Sequence, residues 1–153
     1  MIVSDLMFRD ATAADVPAIV AMLADDTLGA TREDLSDLTP YFAAFERMSS
    51  VPGHHLLIAE RRGQILGTLQ LTLVPGLSRR GSTRADIEAV RVSSDARGLG
   101  VGTTMMEHAI ELARSAGAVL VQLTSDASRT EAHRFYERLG FKQTHYGFKL
   151  MLV

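Results

Sequence analysis

The chain has 153 residues, 46% hydrophobic and 22% charged, with sixteen basic against eighteen acidic residues and a formal net charge of −2. That length suits a single domain over residues 1–153 with an ordinary core, and the near-balance of charge excludes indiscriminate nucleic-acid binding as the main activity while leaving room for a local basic site. The absence of cysteine excludes a disulfide framework, a thiolate nucleophile and a thiolate metal site.

In chain order, residues 3–9 predict a first strand. Thr12 then reads as a helix N-cap, with Asp15 three residues on in the place of a capping box. The helix after it carries Val16, Ile19, Val20 and Leu23 on one face and stops near Gly29. A second helix is expected from about Pro40, a first-turn position, with Phe42, Phe45 and Met48 as its buried stripe. "HHLLIAERRGQILGTLQLTLV" reads as a hairpin that turns at its glycine. "PGLSRRGS" is a loop. "TRADIEAVRV" is a strand whose alternation puts Ile87, Ala89 and Arg91 on one side and Asp86, Glu88, Val90 and Val92 on the other. A helix from about Gly100 to Ala116 buries Met105, Met106, Ala109, Ile110 and Ala113, and Gly117 fits its end. "AVLVQLTS" is a short apolar strand, "RTEAHRFYERLG" a helix with Ala132, Phe135, Tyr136 and Leu139 inward, and "FKQTHYGFKLMLV" a final strand. Hairpins followed by one strand–helix–strand unit give a mixed α+β fold, with a parallel pair inside a largely antiparallel sheet.

No apolar run approaches the roughly 20 residues that cross a bilayer. The start "MIVSDLMFRD" lacks the basic residues and apolar stretch of a signal peptide, so the expected setting is the cytoplasm, with no membrane partner.

Between the alternating strand and its helix lies "ARGLGVG", with glycines at 98, 100 and 102. Helix N-termini present backbone N–H groups without intrahelical partners, and the helix dipole adds partial positive charge there. Glycine removes the Cβ, so an anion can approach the main chain, and Arg97 adds a forked cation at the mouth. No lysine follows Gly102, so this is not a P-loop, and G-x-G-x-G is not the dinucleotide spacing G-x-G-x-x-G. A purely structural tight turn is the other reading.

The segment Arg97–Gly102 resembles the acyl-coenzyme A loop of the GNAT superfamily of N-acetyltransferases, whose pattern is [QR]-x-x-G-x-[GA]. "VRVSSDARGLGVG" is similar to the family's strand-then-loop block, and "AHRFYERLGFKQTHYGFKL" to its last helix and strand, with the family's tyrosine at Tyr136. Together they cover about residues 85–150. "TEAHRFYERLGF" also resembles acetyltransferases of small amines, including those acting on aminoalkylphosphonates. The resemblance implies the GNAT-type fold: a twisted, mostly antiparallel sheet with one splayed parallel pair, flanked by about four helices. It implies acetyl-CoA as cosubstrate, its pyrophosphate held by main-chain N–H groups of Gly98, Leu99, Gly100, Val101, Gly102 and Thr103, with Arg97 at the mouth. The pantetheine arm would pair with backbone groups of Val90, Arg91 and Val92, on a strand that in the family carries a bulge. An N–H near Val90 or Arg91 would polarise the thioester carbonyl. Where the family often has an asparagine, seven residues before the tyrosine, this chain has Arg129; Ser128 and Thr130 are then the neighbouring hydrogen-bonding groups, and Arg129 could meet a cofactor phosphate.

Acetyl transfer to an amine needs a base to free the amine, proximity, and a proton for the departing thiolate. By pattern alone Tyr136 is either a core aromatic beside Phe135 or the acid; the resemblance implies the acid. Asp86 and Glu88, two apart on one strand, share a face, and a part-buried carboxylate there would suit a base. Glu88 is preferred, because a Glu at this distance before the loop arginine recurs in the family; the alternative is a pair of salt bridges to arginines of "RRGSTR". Of the five histidines, His108 is expected in solvent and His133, three residues before Tyr136, to contact cofactor or acceptor. No pair has zinc spacing, so no metal is expected. Arg79 and Arg80 would line an acceptor pocket only for an acidic acceptor.

These readings converge on an N-acetyltransferase acting on a small primary amine by direct attack in a ternary complex, without a covalent acetyl-enzyme. The alternatives are a protein or peptide acceptor, or a non-catalytic coenzyme A-binding regulatory module. Asp25, Asp26, Glu33, Asp34 and Asp37 would suit a cationic acceptor. Family habit and the apolar "FKLMLV" point to a homodimer.

Overall fold

A computed structural model describes residues 2–153, with five strands in one sheet in the order β1-β2-β3-β4-β5. They are β1 (Met7–Asp10), β2 (His54–Arg61), β3 (Gln64–Pro75), β4 (Thr83–Val92) and β5 (Ala118–Leu123). The helices are α1 (Val16–Ala24), α2 (Thr39–Ser49), α3 (Val101–Ser115) and α4 (Thr130–Arg138), with shorter helical turns at Gly29–Arg32 and Ser78–Gly81. This is the mixed α+β architecture expected from the order of elements. The chain divides into two compact units, one running to Gln122 and the other Leu123–Val153.

In the first unit, local chemistry fixes most boundaries. Arg62 (φ 51°) and Gly63 (φ 78°) are both left-handed, as a two-residue hairpin turn with the twist of its strands requires. The Asp15 carboxylate accepts the Thr12 N–H at 2.7 Å, the carboxylate half of the expected capping box. It also takes a forked pair of bonds from Arg9 Nη1 and Nη2 at 2.7 and 3.0 Å, and Arg9 lies 3.2 Å from Glu60. The Arg9 bonds, more than burial opposes, lower the Asp15 pKa to about 2.

Leu57–Ala59 of β2 and Leu66–Leu69 of β3 are buried without interruption. Consecutive burial means both faces of the sheet are covered at its centre. α3 packs on β3 and β4 through Val101, Met105, Met106, Ala109 and Ala113. β1 to β4 are antiparallel; β5 runs parallel beside β4 and meets it only briefly, whereas β3 is laddered to β4 from Thr83 to Val92.

Several expectations need correction. The first strand is Met7–Asp10, because Ile2–Asp5 closes a 3-10 turn. Leu23 and Ile110 are only half-buried, at the margins of their stripes. Phe42 is 38% exposed and α2 buries no residue fully, because it lies on the sheet's flank against β2 and α1. His108 is not in solvent: its ring stacks on Phe8, centroids 4.3 Å apart and 11° from parallel.

The second unit holds α4 and the segment after it. Gly140 (φ 97°) ends the helix as expected. The final strand does not form: from Phe141 to Val153 no residue is in a helix or strand. Alternation gives a segment the capacity to be a strand, but a strand exists only with a partner to ladder against. No helix among the described residues is long and apolar enough to cross a membrane.

Candidate functional site

β4 is interrupted where it leaves the core. Thr68 faces Arg91 and Gln70 faces Glu88, so the single residue Leu69 lies opposite Ala89 and Val90. This is a β-bulge. Ala89 takes up the extra length at φ 53°, in the left-handed region. The alternation read from the sequence therefore fails at this point. Ala85 and Ile87 are buried, but Ala89 is exposed, and Val90, Arg91 and Val92 are all half-buried. The bulge also corrects the setting of the carboxylates. Asp86 is half-buried and Glu88 is exposed, and neither has an ion-pair partner among the described residues.

Beyond the bulge the chain makes a 3-10 turn over Ser94–Ala96, with Ala96 buried, and enters the glycine loop. Gly98 (φ 76°) and Gly100 (φ 84°) are left-handed, and Gly100 is the N-cap of α3. A residue with a Cβ would be strained at that cap. The first helical bond runs from Thr104 N–H to Gly100 O at 3.1 Å, leaving the N–H groups of Val101, Gly102 and Thr103 without a carbonyl one turn back. No side chain caps them, and no acidic residue sits in the first turn. A Cβ on Gly98 would meet no atom within 4 Å. The result is an open set of main-chain donors at the positive end of a 15-residue helix, a fit for the pyrophosphate of acetyl-CoA.

Two arginines flank these donors, and each is paired with an aspartate of the turn after α1. Arg97 donates to the Asp25 main-chain oxygen at 3.3 Å and faces its carboxylate at 3.4 Å, while Nε reaches Val92 O at 3.3 Å. Arg91 donates to Val90 O at 2.9 Å, and its Nε lies 3.4 Å from Asp26 Oδ2. Gly29 builds this corner after α1. A Cβ there would lie 1.8 Å from Leu23 O, and its N–H donates to Asp26 Oδ1. Asp25 and Asp26 thus serve the chain's own cations, which corrects their reading as groups for a cationic acceptor. No local signal marks such a pairing, since Asp25 and Arg97 are 72 residues apart.

Arg79 and Arg80 are both exposed and left-handed, at φ 56° and 63°, within the turn before β4. Among the described residues, no group of three His, Asp or Glu side chains is placed to hold a metal.

The second unit gathers Ser128, His133 and Tyr136. Ser128 donates from N–H and Oγ to Asp126 Oδ1 at 2.9 and 2.6 Å, and a His133 ring nitrogen lies 2.8 Å from Asp126 O. Both residues thereby shape the entry to α4. The half-buried Tyr136 ring meets Phe135 and Phe141 edge-on, at 5.2 and 6.0 Å.

Three comparisons bear on this arrangement. Residues 18–141 match the model of the acetyltransferase (GNAT) family. The chain is 30% identical over 140 residues to the aminoalkylphosphonate N-acetyltransferase of Salmonella typhimurium, covering 92% of this chain and 87% of that one. Among solved structures, one described as a transcriptional regulator from Bacillus halodurans is 42% identical, with a TM-score of 0.92 over 96% of this chain and 99% of its own. A putative acetyltransferase from Agrobacterium tumefaciens is 30% identical, with a TM-score of 0.85 over 95% of this chain and 99% of its own.

Proposed function

The chain belongs to the GNAT acetyltransferase family, and from that premise we propose that it moves an acetyl group from acetyl-CoA to the primary amine of a small molecule, by direct attack in a ternary complex. The observation that carries the reading is the bulge at Ala89 followed by the uncapped start of α3.

When bound, acetyl-CoA supplies an activated acyl thioester. Main-chain N–H groups from Gly98 to Thr103 bind its pyrophosphate, with Arg97 beside them. The backbone of Val90, Arg91 and Val92, freed by the brief β4–β5 contact, would pair with the pantetheine arm and offer an N–H to the thioester carbonyl. Glu88, exposed and without an ion-pair partner among the described residues, would take a proton through water from the acceptor ammonium. The amine nitrogen would bond to the acyl carbon as the carbon–sulfur bond breaks; Tyr136 would protonate the sulfur, and the nitrogen's second proton would return through water to the tyrosinate. Ser128 and His133 complete the cofactor side through the α4 entry. The two units work as one domain, in the cytoplasm and as a homodimer, the last of these supported by the exposed apolar segment after α4.

The relative from Salmonella typhimurium supports an amine that carries an acidic group, and the exposed Arg79 and Arg80 are cations suited to it. A second reading, a coenzyme A-binding regulator without turnover, is favoured by the description of the Bacillus halodurans neighbour. Thiol release from acetyl-CoA, measured against aminoalkylphosphonates, amino sugars, polyamines and peptides, separates the two. Turnover with a small amine supports the enzyme. Tight binding of coenzyme A, abolished by Gly100→Glu, with no turnover on any amine supports the regulator.

A further inference from the structure

We propose that the acceptor lies along β4 as a zwitterion, its ammonium held by Asp86 beside Glu88 and its acidic group held by Arg84, so that Asp86 and Arg84 set specificity; this rests on the small-amine reading and deepens it. Before its bulge β4 alternates regularly. Ala85 and Ile87 enter the core, so Arg84, Asp86 and Glu88 share the other face. The register extends that face over the neighbouring strands. Gln70 lies opposite Glu88, Thr72 opposite Asp86, and His54 of β2 opposite Thr72. Directly opposed residues on one face of an antiparallel pair stand within reach of one another.

The side chains of these residues make no hydrogen bond or ion pair among the described residues. All but Glu88 are half-buried, and the Nδ1 atom of His54 is buried outright. A half-buried polar group without a partner in its own chain is left to water or to a ligand. Other charges of this sheet are engaged: Arg9 meets Asp15 and Glu60, and Arg91 meets Asp26. Asp86 and Arg84, two apart on one side of one strand, form no ion pair with each other.

The order of charge selects the ligand. From the bulge outward the face carries Glu88, Asp86 and then Arg84, with the exposed Arg79 and Arg80 in the turn that leads into β4. Successive positions on one strand face are about 7 Å apart, so a short amino acid spans from Asp86 to Arg84. A dication would meet repulsion at Arg84, and a plain alkylamine would leave Arg84 unpaired. A zwitterion satisfies both ends and brings no net charge to the half-buried face. The Arg84 guanidinium forks onto a phosphonate, a phosphate or a carboxylate alike. Bound this way round, the ammonium lies next to Glu88 and the bulge, where the proposed base and thioester stand.

Thiol release from acetyl-CoA by the full chain, measured with 2-aminoethylphosphonate, propylamine and 1,4-diaminobutane, tests this. The parent chain is expected to prefer the phosphonate in kcat/KM. Arg84→Gln is expected to lose about 10-fold or more of that preference over propylamine, through KM and not kcat. Arg84→Lys should keep part of the preference, and Arg84→Glu should shift it to the diamine. Asp86→Asn should raise KM for all of these amines, since each carries an ammonium. A thermal shift with coenzyme A reports that each variant folds. Equal turnover of propylamine and the phosphonate by the parent chain, or an Arg84→Gln loss that falls alike on every amine, would overturn this inference and leave the acetyltransferase reading standing. Turnover of no small amine would overturn that reading and this inference with it.

Discussion

One guanidinium nitrogen of Arg97 reaches both the main-chain oxygen and the carboxylate of Asp25, at 3.3 and 3.4 Å. The cation at the mouth of the glycine loop is thus engaged before any phosphate arrives. Both side chains are more than half exposed, so the pair is of the weak, salt-screened kind.

Replacing Asp25 by Asn therefore strengthens cofactor binding. Arg97 no longer leaves a carboxylate to meet the pyrophosphate, and a negative charge near the anion site is gone. An exposed pair contributes roughly 0.2–1 kcal/mol, so coenzyme A should bind about 1.4- to 5-fold more tightly by titration calorimetry, with the gain fading at high salt. Weaker binding in Asp25→Asn would show that Asp25 positions Arg97 and does not compete for it.

Ala89→Gly should stabilise the protein, against the usual cost of glycine in a strand. An L-residue in the left-handed region costs roughly 1–2 kcal/mol, and the added freedom of glycine in the unfolded chain costs roughly 0.5–1 kcal/mol. The net gain is about 0–1.5 kcal/mol, a rise in Tm of at most about 6 °C. A fall of that size would mean that the bulge does not hold Ala89 at φ 53°.

Asp15 gives acid stability a definite sign. Its pKa falls from 3.8 to about 2 on folding, chiefly through Arg9. A depressed carboxylate stabilises the fold above its unfolded pKa and loses that contribution as the pH falls through the folded one. The contribution is about 2 kcal/mol at neutral pH. The difference in Tm between the parent chain and Asp15→Asn should be constant above about pH 5 and close between about pH 4 and 2. A difference that persists at pH 2 would assign the loss to packing.

Tyr136→Phe should lower kcat by about 100-fold or more while leaving the thermal shift with coenzyme A in place, because the phenol acts on the leaving sulfur. Glu88→Gln should lower kcat while leaving the thermal shift with coenzyme A in place. Unchanged turnover in both variants would remove these residues from the chemistry.

The glycine loop and α3 were readable because their determinants are local. The apolar spacing of Met105, Met106, Ala109 and Ala113, and the run of glycines before them, set a helix and an open N-terminus within twenty residues. The capping pair Thr12–Asp15 and the turn at Gly63 were readable for the same reason. The bulge was not readable from the residues of β4, since Ile87, Ala89 and Arg91 continue an unbroken alternation. Only the ladder to β3, with Leu69 opposite two residues, reverses the phase and turns Ala89 outward. Nor could sequence join Asp25 to Arg97 or Asp26 to Arg91, because charges distant along the chain carry no periodic mark and meet only where the fold brings them. The segment after α4 shows the limit most plainly. Its sequence determined that it can be a strand; tertiary structure decided that it is not one in this chain, because the hydrogen bonds of a strand belong to the pair and its partner must be supplied in space.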